Sequence, residues 1–110
     1  MGLPDEVLKI KEAILEAVPA EQIYLFGSYA YGEPERNSDF DFYIVLPEGG
    51  MRPLDAMNKI GMAIFPFQTK PVDLLAGTKA TFERRKQQPG LERTIAAKGV
   101  KLYERSGQRL

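Results

Sequence analysis

The stretch "FGSYAYGEPERNSDFDFYIVL", Phe26 to Leu46, decides how the rest of the chain is read. It sets two aspartates, Asp39 and Asp41, at the mouth of an apolar, β-branched run. Aspartate is disfavoured in strands, and burying it is costly unless a cation or hydrogen-bond donors compensate. Side chains alternate along a strand, so Asp39 and Asp41 project to one side while Phe40, Phe42, Ile44 and Leu46 project to the other. Two carboxylates held together repel, and a divalent cation that takes both as ligands removes that penalty. A polar turn at "RNSD" accounts for Asp39 by itself, but not for Asp41, which lies inside the apolar run.

Just upstream, "QIYLF" (Gln22 to Phe26) reads as a short strand, apolar on both sides and expected near the centre of a sheet. Gly27 follows it directly, Ser28 offers a hydroxyl, and "SYAYGE" can start a short helix whose free backbone N–H groups face an anion. Small residues at this point let a phosphate approach the backbone closely. Phosphate donors opposite an acidic cluster form an arrangement suited to moving a phosphorus centre, because that chemistry needs neutralised charge and positioning. Tyr29 and Tyr31 are expected to pack or to face a partner.

Further out, Val7, Ile10, Ile14 and Val18 repeat at helical spacing behind Pro4, Asp5 and Glu6, and Pro19 closes that helix. Beyond "PEGG" at residues 47–50, Leu54, Met57, Gly61, Ile64 and Phe65 mark a helix that Pro66 stops, with Met51, Met57 and Met62 as core fillers. "PVDLLAG" from Pro71 to Gly77 is a third strand with Asp73 as its embedded acid. Asp73 joins the other two carboxylates if its strand neighbours theirs; otherwise it is a strand-edge acid paired with Lys70 or Lys79. Thr78 can cap the next helix, Gln88, Pro89 and Gly90 break it, "LERTIAAKG" forms another, and "VKLYE" closes the chain as an edge strand. Helix, strand, strand, helix, strand, helix, helix predicts an α/β (α+β) fold: a small mixed sheet flanked by helices, in a single domain spanning 1–110.

Composition narrows the chemistry. There is no cysteine and no histidine, so disulfides, thiolate metal sites and the commonest general base are excluded, and any metal must be held by oxygen, which favours magnesium, manganese or calcium. No apolar run approaches the roughly 18 residues of a membrane span, and no signal-peptide pattern opens the chain, so a cytoplasmic location is expected. The zero net charge conceals a dipole: residues 1–78 hold 6 basic and 12 acidic side chains, and residues 79–110 hold 9 basic and 3 acidic. Arg84, Arg85 and Lys86 form a short basic run, commonly a solvated helix face. No interleaved aromatic and basic motif is present, so direct nucleic-acid binding is not expected.

Gly27 and Ser28, followed after ten residues by Asp39-Phe40-Asp41, resemble the Gly-Ser…Asp-x-Asp signature of the DNA polymerase beta-like nucleotidyltransferases. The length, and a match running from the first helix through the strand with Asp73 to "GVKLYE", are similar to the minimal nucleotidyltransferases. The resemblance implies that Asp39 and Asp41 ligate two magnesium ions, manganese being an alternative, and that Asp73 helps hold the metal that activates the acceptor hydroxyl. Gly27 and Ser28 would bind the outer phosphates. The implied reaction moves AMP from ATP to a hydroxyl and releases pyrophosphate. Family members of this size are commonly antitoxins paired with an all-helical HEPN toxin, whose tyrosine they can adenylylate, which implies a hetero-oligomer. One departure is Tyr31, where many relatives carry arginine; Arg36 in the same loop is the expected substitute as a nucleotide-binding cation. The departure leaves a second reading, a catalytically weak module that neutralises a toxin by occlusion. A third is a subunit of an enzyme acting on a small molecule.

Overall fold

Gln22–Phe26 (β1), Phe40–Leu46 (β2), Val72–Thr78 (β3) and Val100–Glu104 (β4) form one sheet in the computed structural model, which describes residues 3–34 and 38–105. The strand order is β3-β2-β1-β4. β1 pairs antiparallel with both β2 and β4, and β2 pairs parallel with β3, so the sheet is mixed, as expected. Parallel neighbours need a crossover, and the helix Pro53–Ile64 (α3) supplies it. β1 is central and β4 lies at an edge, both as the sequence suggests; β3 is the other edge.

One face of the sheet meets α3 and the helix Asp5–Ala17 (α1). Val7, Ile10 and Ile14 of α1 pack with Ala56, Ile60 and Ile64 of α3 against Ile23, Leu25, Phe40, Phe42, Ile44 and Leu46. The even-numbered residues of β2 thus all enter this core, as strand alternation requires. α1 ends at Val18, whose backbone is extended ahead of Pro19. α3 begins on Pro53, where a missing N–H has no intrahelical partner to lose, and Arg52 donates to the Asp55 carboxylate across its first turn.

The buried stripe of α3 differs from the expected one. Ala56, Ile60 and Ile64 face the core, whereas Leu54 and Phe65 are exposed, Phe65 at 77%. Met62, expected as a core filler, stands 79% exposed, while Met51 does pack against the core. Apolar side chains lie on two stripes of this helix, and the one holding small Ala56 is the one that seats against the sheet.

The opposite face carries Lys79–Arg85 (α4) and Leu91–Lys98 (α5), with the short helix Ser28–Tyr31 (α2) at the end of β1. Phe82 and Ile95 close a second core with Tyr24, Tyr43 and Val45. The Phe82 ring lies 5.4 Å from that of Tyr24 and 5.3 Å from that of Tyr43. Thr78 caps α4 by accepting the Thr81 N–H, as anticipated from the sequence, and Glu48 accepts the Ala80 N–H beside it. This second helix layer leaves β3 partly uncovered: Asp73 and Leu75, which share the face of Asp41 and Tyr43, are both exposed.

Candidate active site

Parallel pairing of β2 with β3 places Asp41 directly opposite Asp73, on the same face of the sheet. The two carboxyls thus face one another across neighbouring strands, close enough to influence each other. Burial first, then the facing Asp73 carboxyl and the nearby charge of Asp39, push the Asp41 carboxyl from 3.8 up to about 6.

Asp39 lies just outside β2, which begins at Phe40, and is half-buried. It stands near enough to raise the Asp41 carboxyl, but among the described residues no three carboxylates are gathered closely enough to form a ready ligand set. The structure therefore unites Asp41 with Asp73 and sets Asp39 beside them.

Antiparallel pairing of β1 with β2 brings Phe26 opposite Asp41, so Gly27 is the next residue along from the carboxylate. Its φ of 77° lies in the left-handed region, and a Cβ there would collide with Oδ2 of Asp41. Glycine is required twice over, by backbone and by space. Ser28 starts α2 rather than capping it: Gly27 occupies the N-cap position, without a side-chain bond, and its carbonyl accepts the N–H groups of Ala30 and Tyr31 at 3.0 Å each. The N–H groups of Ser28 and Tyr29 precede that ladder, at the end of the helix where the dipole favours an anion. Arg36, the expected substitute cation, lies outside the described residues.

Two contacts have no signal in the sequence. Lys70, before β3, donates to the Tyr29 hydroxyl at 2.7 Å and lies over the rings of Tyr29 and Phe40, clamping α2 to the end of β2. Tyr29 is thus a packing residue, as expected, while Tyr31 is exposed. Further along the Asp41 face, the Tyr43 hydroxyl donates to Glu92 at 3.1 Å, and Arg85 meets the same carboxylate at 3.6 Å. Burial, reinforced by the Glu92 charge, raises the Tyr43 phenol well above its usual range. A Cβ at Gly77 would stand 2.7 Å from the Tyr43 hydroxyl, so this glycine is what lets the phenol lie across β3. Tyr43 and Glu92 are 49 residues apart, and no local pattern links them.

The donors offered here are carboxylates and backbone N–H groups, which suit a hard divalent ion and a phosphate respectively. Two carboxyls placed opposite one another repel when ionised, and a cation taken by both removes that repulsion, so Asp41 and Asp73 fit such an ion.

Among solved structures, a putative nucleotidyltransferase from Sulfolobus solfataricus superposes with a TM-score of 0.64 at 21% identity, covering 93% of this chain and 80% of that one. A toxin-antitoxin MntA-HpeT mutant gives 0.57 at 20% identity over 91% of this chain and 74% of that one. A toxin-antitoxin with AMP-PNP gives 0.51 at 21% identity over 94% and 74%. At such identities the likeness is one of fold. No curated protein matches. The nucleotidyltransferase domain family model, however, matches residues 7–105, nearly the whole of the 110-residue chain. The chain therefore belongs to the nucleotidyltransferase domain family.

Proposed function

We propose that the protein transfers AMP from ATP to a hydroxyl of a partner protein, with magnesium, or manganese in its place, held by Asp41, Asp73 and Asp39. The observation that carries this reading is the placement of Asp41 against Asp73 immediately beside Gly27, inside a chain of this family. Bound there, the divalent ions neutralise charge on the triphosphate and on the attacking oxygen. The protein's own part is positional. Gly27 and the first N–H groups of α2, with the Ser28 hydroxyl, hold the outer phosphates. Asp41 and Asp39 would hold the ions that offset the charge at the α-phosphate end. Asp73 accepts the proton as the acceptor oxygen bonds to the α-phosphorus, and the bond to the bridging oxygen breaks to release pyrophosphate. Arg36, which falls between α2 and β2 in the sequence, is proposed as a further cation for the triphosphate.

The partner is proposed to be a toxin of the HEPN type, with a tyrosine as the acceptor and a hetero-oligomer as the working form in the cytoplasm; two of the structural neighbours are toxin-antitoxin proteins. Exposed Met62 on α3 and Phe65 just past its end are consistent with a chain that works in a complex. A second reading, occlusion of the toxin without catalysis, is favoured by Tyr31 in the place of the relatives' arginine. Neutralisation of the toxin by an Asp39→Asn, Asp41→Asn double variant separates the two: transfer as the mechanism requires neutralisation to be lost, and undiminished neutralisation supports occlusion.

A further inference from the structure

We infer that Lys70 is a positioning residue of the site: acting through Tyr29, it sets the separation between the Gly27–Ser28 turn and the aspartates of β2, and with it the affinity for a triphosphate that must reach both. The inference rests on the proposed nucleotidyl transfer and adds a residue outside the Gly-Ser…Asp-x-Asp signature. The proposed site residues lie on three stretches of chain: Gly27 and Ser28 after β1, Asp39 and Asp41 at the start of β2, and Asp73 in β3. Lys70 touches the neighbours of the first two groups and stands three residues ahead of the third. Its Nζ donates to the Tyr29 hydroxyl at 2.7 Å and lies 5.1 Å from the centre of the Tyr29 ring and 5.0 Å from that of Phe40. Tyr29 follows Ser28 directly, and Phe40 stands between Asp39 and Asp41. The two rings are themselves 4.7 Å apart, and Phe40 is buried in the core.

One ammonium group thus ties α2 to a fixed ring of the aspartate strand. α2 is four residues long and buries none of them completely, so its placement depends on contacts of this kind. Lys70 is anchored in turn. Thr69 gives its backbone N–H, at 2.7 Å, and its hydroxyl to the Glu6 carboxylate on α1. The Gln68 side-chain amide donates to the Lys70 carbonyl at 3.0 Å, and the Pro71 carbonyl accepts the Phe40 N–H at 3.2 Å. Phe40 belongs to the sheet face that meets α1 and α3, whereas Asp41 belongs to the other, so Lys70 works from behind the carboxylates and reaches the site by way of Tyr29. Only one kind of ligand feels the separation that results. An ion held by Asp41 and Asp73 does not engage Gly27 or Ser28, whereas a triphosphate spans from that turn to the aspartates, so a small displacement of α2 weakens the triphosphate and spares the ion.

The test uses the full chain and two probes: Mn2+ alone, read by its paramagnetic resonance signal, and AMP-PNP with Mn2+. Lys70→Met keeps the stem and removes the charge and the donor, Tyr29→Phe keeps the ring and removes the accepting oxygen, and Lys70→Arg restores a cationic donor; thermal melts establish that each is folded. The expected result is AMP-PNP affinity reduced about tenfold in Lys70→Met and at least about threefold in Tyr29→Phe, with no further loss in the double variant. Mn2+ affinity should stay within about twofold throughout, and Lys70→Arg should return AMP-PNP affinity to within about threefold of wild type. Loss in Lys70→Met with none in Tyr29→Phe would overturn the inference by placing Lys70 on the ligand itself. Equal losses of Mn2+ and AMP-PNP would overturn it by showing a general loosening of the site, and so would unchanged AMP-PNP affinity in the folded variants. In each of these cases the proposed transfer itself would stand. Failure of the wild type to bind AMP-PNP with Mn2+ would instead sink the proposed function, and the inference with it.

Discussion

Gly27 combines a φ of 77° with an Asp41 oxygen lying where a Cβ would be. Gly27→Ala is expected to lower stability by about 1–3 kcal/mol and to abolish nucleotide binding, seen as a lower melting temperature together with loss of ATP-analogue fluorescence. Asp41 has the opposite leverage on stability. Because the fold raises its carboxyl from 3.8 to about 6, the group's contribution is fully present below 3.8 and is lost as pH rises through about 6. In chelator, Asp41→Asn should therefore melt higher than wild type at pH 8, by roughly 1 kcal/mol after discounting for its partial exposure, and the gain should vanish near pH 4. At this scale the sequence was informative about Gly27, Ser28, Asp39, Asp41 and Asp73, because glycine after a strand and acids inside an apolar run break local expectation. It was silent on the pairing of Tyr43 with Glu92 and of Lys70 with Tyr29, which only the fold brings together.

Each element's existence and approximate bounds could be read from the chain, since Pro19, Gly27, Pro66, Gly90 and Gly99 punctuate runs of clear period. The strand partners could not: alternation tells which side a residue faces, not which strand lies beside it, so the meeting of Asp41 and Asp73 was conditional until β2 and β3 proved parallel neighbours. The buried face of α3 was misread because two apolar stripes compete there and close packing selects the one with Ala56. Among the elements, α4 depends on a single anchor, Phe82, fully buried and in ring contact with two tyrosines. Phe82→Ala is expected to destabilise by about 3–5 kcal/mol in a denaturant titration, and Thr78→Ala, which removes the cap of α4, by about 1 kcal/mol.

At the scale of the whole molecule, one sheet serves two cores, with α1 and α3 on one face and α4 and α5 on the other. Both layers lean on the same two strands, β1 and β2, through alternate residues, so they are expected to melt together: far-ultraviolet and near-ultraviolet circular dichroism should trace one transition, and separate midpoints would show α4 and α5 to be an independent layer. The arrangement leaves the Asp41 face open at β3, and the account's central claim is that nucleotidyl transfer occurs there. The most direct test is to incubate the purified chain with α-labelled ATP and magnesium, alone and with the protein encoded beside it, following label and mass. The account predicts protein-bound label in steps of one AMP, lost in Asp41→Asn although that variant is folded and at least as stable at pH 8. Absence of transfer with magnesium and with manganese, or transfer that persists in Asp41→Asn, would contradict it.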